Sequence, residues 1–395
     1  MFKSVLSLTL AAALGTASFG QTTLTAVPGE AAAAKYASIS QEILRAIEKG
    51  NEYLKSKQNP EGYWAQPSYP ALTALAVTAY MRDPANQGKP LPEYIRKGYD
   101  FILKSQKEDG SIFNRGMSSY NTAVCMMALL AANKEEYAPA ILKGRAYLIK
   151  QQNHFAPDNP YNGGIGYGDK QAPPIADLSN TSLALEAIYY SQKLAKDGKY
   201  GEQPDLDWNA ATEFINRCQQ NPAVNKEPWV SNDKSQLGGF VYRPGVSSAK
   251  DKKSAAFDKA EPPKAYGSMT YAGMQSLIYA NVDKNDPRVK LALKWLENSY
   301  NLDENPGMGV QGLYYYYQAM SKALSAMGID TLTLEDGRKV DWRDELANKL
   351  ISIQKSDGSW VNTNNRWWEA DPVLVTSYCV LALEQLYHSL SLIHI

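Results

Sequence analysis

Three carboxylates stand where the chain can place an acid beside a shared cavity. Asp177 and Asp371 each precede an uncharged helical stretch, and Glu186 sits inside one, among Leu and Ala. Desolvation raises the pKa of such a carboxyl, which suits a proton donor. Each also has a structural reading. Asp177 and Asp371 are of the residue type that caps a helix N-terminus. Glu186 can form a polar pair with Gln275, which has the same register one uncharged stretch later. Glu384 lies equally deep in the last such stretch, where a lone carboxylate is costly unless paired. Four consecutive tyrosines, Tyr314–Tyr317, span the circumference of a helix, so at least one of them faces inward, and Tyr315 is the candidate. Tyr120, Asn121, Ser179, Asn180, Tyr266, Tyr271, Gln311 and Tyr378 lie at or near the starts of the uncharged stretches. There they can ring one mouth of a cavity, as an aromatic wall for an apolar ligand, a sugar or a cationic intermediate. Asn121 and Asn180 both stand directly before a Thr, which reads more as a repeated capping device than as a ligand site. His154, His388 and His394 are the three histidines, all outside the inner positions, so neither a metal site nor another cofactor is expected.

The elements that position these residues form a repeat. One segment type is amphipathic and ends in Gln followed by a Gly turn: Gln58 with Gly62, Gln106 with Gly110, Gln152 with Gly163, Gln219 with Gly238, and Gln354 with Gly358. A fifth copy in chain order, around Trp295–Tyr300 and Gly307, lacks the Gln. Each copy is followed by a nearly uncharged helical segment, at 69–81, 120–132, 179–191, 268–280, 310–324 and 375–387. These align on Thr73, Thr122, Thr181, Thr270 and Thr376, with Gln311 in the fifth. Three residues on stands a small residue (Ala76, Cys125, Ala184, Gly273, Cys379), except at Tyr314. A helix apolar on nearly all sides must be buried, and one with a charged face belongs outside. Six outer–inner pairs sharing one core predict an all-α, (α/α)6 toroid, with an open α-solenoid as the alternative. The Gly turn supplies positive φ, and an aromatic just beyond it (Trp64, Phe113, Tyr167, Tyr242, Trp360) can cover the end of each pair.

Of 395 residues, 41 are Lys or Arg and 41 Asp or Glu, giving a net charge of 0. That balance argues against a nucleic-acid partner, which needs a basic face, and against a polybasic membrane anchor. Lys3, the apolar run Val5–Leu14 and Ser18-Phe19-Gly20 read as a secretory signal over residues 1–20. The domain plan is then a signal peptide, a linker over 21–38, the toroid over 39–388 and a tail over 389–395. The mature protein is expected to be secreted or periplasmic, with no transmembrane anchor. Cys125, Cys218 and Cys379 read as buried free thiols. The insertion 222–263 breaks the repeat spacing and carries Lys250, Lys252, Lys253 and Lys259; it reads as a lid or a disordered excursion. Asp330–Lys339 carries a hairpin pattern around Asp336-Gly337.

The segments Gln106–Phe113 and Gln354–Trp360 resemble the QW motif of squalene–hopene and oxidosqualene cyclases, a repeat shared with protein prenyltransferase β-subunits. The likeness covers residues 39–388 and implies the toroid fold and an apolar or isoprenoid-like small-molecule partner. Hopene-type cyclases protonate their substrate with Asp-x-Asp-Asp-Thr, and the matching stretch is Asp177-Leu178-Ser179-Asn180-Thr181. Ser179 replaces the donor, and an alcohol cannot protonate an alkene at useful rates. Protein prenyltransferases bind zinc through Asp, Cys and His; Asp371 and Cys379 lie near the last inner helix, but Val375 stands where that family has its His, and Tyr266 stands where it has a diphosphate-contacting His. The implied function is an exported cyclase- or prenyltransferase-like protein whose aromatic cavity binds or transforms an isoprenoid-like ligand. A non-catalytic binding or scaffold protein, and a polysaccharide-processing toroid enzyme, are the alternatives.

Overall fold

A computed structural model describes residues 30–168, 175–249 and 262–391. The expected signal peptide, residues 21–29 of the expected linker and the lysines at 250, 252, 253 and 259 lie outside the described residues. Thirteen α-helices follow in order: α1 (Glu30–Ser56), α2 (Pro70–Arg82), α3 (Glu93–Lys104), α4 (Ser118–Ala131), α5 (Ala138–Lys150), α6 (Leu178–Tyr190), the short α7 (Gln192–Lys196), α8 (Trp208–Cys218), α9 (Gly267–Tyr279), α10 (Pro287–Asn298), α11 (Leu313–Met327), α12 (Trp342–Ser352) and α13 (Pro372–Ser391). Helix α1 begins inside the stretch read as a linker, and α13 runs into the stretch read as a tail. The hairpin is present as β1 (Leu332–Thr333) paired antiparallel with β2 (Lys339–Val340). Among the described residues, no helix is long and apolar enough to cross a membrane.

The uncharged helices form the inner ring. Helix α2 packs on α4, α4 on α6, α6 on α9, α9 on α11, α11 on α13, and α13 returns to α2. The ring is therefore closed, and the open solenoid is set aside. Helices α1, α3, α5, α8, α10 and α12 lie outside it. Across the six inner helices only Arg82, Glu186, Lys322 and Glu384 bear a full charge type. That composition is why these six segments sit where water is excluded.

The Gln of each turn joins neighbouring outer helices. Its Nε2 donates both to the carbonyl of the turn Gly and to a carbonyl of the next outer helix, at or near its start in four cases and within α1 for Gln354. Gln58 reaches Tyr94, Gln106 reaches Ala140, Gln152 reaches Asp207, Gln219 reaches Arg288 and Gln354 reaches Ala46, all at 2.7–3.0 Å. Where the Gln is lost, the hydroxyl of Tyr300 donates to Glu345 at 3.0 Å instead. The Gly is needed twice over. At Gly163 φ is +81°, and an added Cβ would lie 1.9 Å from the carbonyl oxygen of Ala210.

The aligned Thr has an equally definite task. Thr73, Thr122, Thr181, Thr270 and Thr376 accept, through Oγ1, the N–H of Trp64, Ile112, Ile165, Phe240 and Trp360 at 2.8–3.1 Å. These five side chains, all essentially fully buried, close the helix pairs. The aromatics expected in that role at Phe113, Tyr167 and Tyr242 are not the ones used. A small residue follows the Thr because the buried side chain lies over it: a Cβ on Gly273 would stand 2.4 Å from the Phe240 ring. In the fifth pair, Gln311 falls in the turn before α11. Tyr316 is the fourth residue of α11, as Thr73 is of α2, and Ala319 follows it by three, so the apparent exception at Tyr314 was a shift of register.

Candidate functional site

The inner-helix N-termini surround a chamber of 610 Å³. Six tyrosines line it: Tyr120, Tyr167, Tyr242, Tyr266, Tyr315 and Tyr378. Ser179, Asn180, Ser248 and Ser268 add polar atoms; Leu72, Leu183, Met269 and Leu374 add apolar wall. Trp367 and Trp368 stand at the rim, 46% and 42% exposed. The ring of Trp368 lies 4.6 Å from that of Tyr69, and the Arg366 guanidinium lies 4.4 Å over Trp367. Among the described residues, no Lys or Arg lines the chamber wall.

The rim backbone is strained. Trp367, Trp368 and Met117 have φ of +54°, +64° and +52°. For side chains of that bulk each such conformation costs on the order of 1–3 kcal/mol, and strain of this kind gathers at functional sites.

Of the tyrosine run, Tyr315 alone lines the lumen. The hydroxyls of Tyr314, Tyr316 and Tyr317 donate outward to the carbonyls of Val361, Asn301 and Leu302. Tyr315 faces Ser179, and Tyr120 faces Tyr378. Burial lifts the Tyr120 phenol to about 12 and pushes Tyr315 and Tyr378 up as well, so all three are neutral donors. With Leu183 they form a layer across the lumen. Beyond that layer lies a narrow second chamber of 80 Å³ toward the C-terminal ends of the inner helices.

Asp177 caps α6, accepting the N–H and the side-chain amide of Asn180, both at 2.8 Å. Burial raises its pKa to about 6, against the pull of those bonds and of the neighbouring Tyr242 hydroxyl. The Tyr242 hydroxyl reaches that of Tyr167 at 3.4 Å. Asp177 therefore stands one layer behind the chamber wall, holding Asn180 in it. Asn121 is not in the wall either. It is fully buried, accepts the N–H of Ala71 at 3.0 Å and donates to the carbonyls of Met117 and Gly116, tying the start of α4 to that of α2. Tyr271 is also fully buried, against Tyr316, away from the chamber. Gln311 receives Arg366 outside the wall. Asp371 lies in a side pocket of 230 Å³ beside Trp368 and accepts the N–H of Val373 at 2.8 Å, as an N-cap does.

Glu186 is in the narrow chamber, but its partner is not Gln275. It forms an ion pair with Lys322 of α11, while Gln275 donates to Tyr279 at 2.7 Å. The pairing was visible in outline, since Glu186 and Lys322 are lone opposite charges on two inner helices.

One carboxylate of the wide chamber went unnoticed in the sequence. Glu369 is 1% exposed and lines the wall. Oε1 accepts the N–H of Tyr315 at 2.9 Å; Oε2 accepts the side-chain amide of Asn362 at 2.7 Å and the N–H of Tyr314 at 3.4 Å. It thus satisfies the orphan donors that open α11, a favourable place for negative charge. Burial raises its pKa while these bonds lower it. Cys125, Cys218 and Cys379 are free and buried. Among the described residues, no group of three or more His, Cys, Asp or Glu could hold a metal ion.

No protein-family model matches the chain. Solved structures do match. The apo type II terpene cyclase MstE from Scytonema aligns with a TM-score of 0.52 at 11% identity, over 89% of this chain and 99% of that one. A variant of that cyclase in complex with geranylgeranyl dihydroxybenzoate, its substrate, aligns with a TM-score of 0.51 over the same shares. The Candida albicans protein geranylgeranyltransferase-I complexed with GGPP aligns with a TM-score of 0.55 at 14% identity, over 87% of this chain and 91% of that one. At such identities the likeness is one of fold: the chain has a terpene cyclase- and prenyltransferase-like all-α fold.

Proposed function

We propose that this is an exported protein that holds an apolar, isoprenoid-like ligand in its aromatic chamber and does not protonate it. The observation that carries the reading is the wall itself. Six tyrosines and two tryptophans enclose a volume within the range of about 300–1,000 Å³ of small-molecule pockets, with few polar groups among apolar ones. Aromatic faces favour an unsaturated hydrocarbon, and hydroxyls from Tyr, Ser and Asn suit one oxygen function. The neighbours' geranylgeranyl compounds are of the same chemical class.

Two features support binding over acid catalysis. Ser179 occupies the position that matches a cyclase proton donor. The carboxyl that does reach the wall, Glu369, is occupied with three N–H donors. Export rests on the N-terminal sequence alone.

The test is a titration of the full mature chain with geranylgeraniol, followed by tryptophan emission. Saturable binding is expected, weakened about three- to tenfold in Trp368→Ala, as the loss of one aromatic contact implies. A flat titration, or identical binding by the variant, contradicts it.

A further inference from the structure

Beyond the layer of Tyr120, Tyr315 and Tyr378, the charge pattern of the lumen changes. The narrow chamber is lined by Arg82, Glu186 and Lys322, with amides from Gln275 and Gln318. Three of the four charged residues of the whole inner ring thus converge on it. Two are cations and one is an anion, an excess of one positive charge in a confined space. The nearby Glu384 is not part of this lining, and burial pushes its carboxyl up toward the neutral form.

The two cations are held but not saturated. Lys322 gives an N–H to Glu186, and Arg82 Nη2 donates to Gln385 Oε1 at 2.6 Å. Their other N–H groups have no protein acceptor among the described residues. An excess cation with donors to offer in a narrow, partly buried cavity favours an oxyanion more than a fully exposed lysine does. The void of 80 Å³ is ample for a carboxylate, since one water needs about 10–15 Å³.

We propose that the narrow chamber is a carboxylate-binding site, with Arg82 and Lys322 as the recognising cations. The carboxylate has two sources. It is the terminal group of the ligand whose apolar chain fills the wide chamber, or it is a small free carboxylate. The first source rests on the function proposed above; the second does not. Four side chains, Tyr120, Leu183, Tyr315 and Tyr378, line both chambers, so only side chains separate them.

The experiment compares three probes on the full mature chain: geranylgeranoic acid, geranylgeraniol and sodium acetate. Each is titrated against wild type, Arg82→Gln, and the double variant Glu186→Gln/Lys322→Gln, which removes the ion pair without leaving a buried charge alone. If the chain carries the carboxylate, the acid binds wild type at least tenfold more tightly than the alcohol, and both variants bring it down to the alcohol. If the carboxylate is free, acid and alcohol bind alike, and acetate saturates wild type but neither variant. Acid and alcohol binding alike with no acetate saturation overturns the carboxylate site and leaves the wide-chamber reading intact. Acetate saturation with no binding of either isoprenoid overturns the wide-chamber reading and leaves this site.

Discussion

The side-chain amide of Gln354 donates to the backbone carbonyl of Ala46 at 3.0 Å, across 308 residues of sequence, and to that of Gly358 at 3.0 Å. It joins the sixth turn to the first outer helix, as the other four glutamines join consecutive neighbours. Gln354→Ala leaves two half-buried carbonyls without this donor and should lower stability by about 1–3 kcal/mol. Urea unfolding measures the loss, and hydrogen exchange should show α1 deprotected first. The exposed neighbour substitution Lys355→Ala should stay within about 0.5 kcal/mol. Equal effects would mean the amide does not close the ring.

The turn glycines separate into two kinds. Gly358 has φ of +86°, and a Cβ there would lie 2.3 Å from the Lys49 carbonyl oxygen. Gly198 has φ of +76° with open space around it. Gly198→Ala should cost about 1–2 kcal/mol, the left-handed penalty alone. Gly358→Ala must also push α1 away and should cost clearly more. Thermal unfolding of both variants tests the order; equal losses would contradict the close approach.

Asp177 and Glu384 should leave separate marks on the pH dependence of stability. Both have folded pKa values raised by burial, Asp177 from 3.8 to about 6 and Glu384 well above 4.5. A raised carboxyl contributes fully below its unfolded pKa, and that contribution falls as pH rises toward the folded value. For Asp177 the fall lies between about pH 4 and 6, at up to about 1.4 kcal/mol per pH unit. Asp177→Asn should flatten that window and leave the slope above pH 6.

Glu384 is fully buried, and neither carboxyl oxygen has a hydrogen-bond partner among the described residues. Its penalty begins near pH 4.5 and grows as pH rises from there. Glu384→Gln should therefore gain on wild type steadily as pH rises, with the smallest advantage near pH 4. Parallel stability curves from pH 4 to 8 would show that the carboxyl is not held neutral.

The ring was legible in the sequence because its cause is compositional. Six segments almost without charge, spaced by Gly turns, can only be buried together, and a Gln with its Gly marks five of the six reversals. Contacts made between segments were harder to read. Glu369 caps a helix that starts 56 residues earlier in the chain, and nothing local to Glu369 signals it. The partner of Glu186 is 136 residues away, on a helix whose register is five residues off when Gln311 is aligned with the Thr. Asn121 carried the ambiguity of its type: a polar residue at the mouth of a ring serves the backbone as readily as it serves a ligand. Tyr167 and Tyr242 were read as covers because they follow a Gly turn, while Ile165 and Phe240, two residues nearer, take that place and leave the tyrosines to the chamber.

The central claim is that the aromatic chamber holds an isoprenoid-like ligand. It is tested most directly by native mass spectrometry of the protein purified from its own host, followed by extraction and identification of what it retains. Wild type should carry an apolar adduct of isoprenoid composition. Leu183→Trp, which fills the chamber from the layer that divides the lumen, should fold and carry none. A wild-type protein of bare polypeptide mass, or an adduct kept unchanged by Leu183→Trp, would contradict the account.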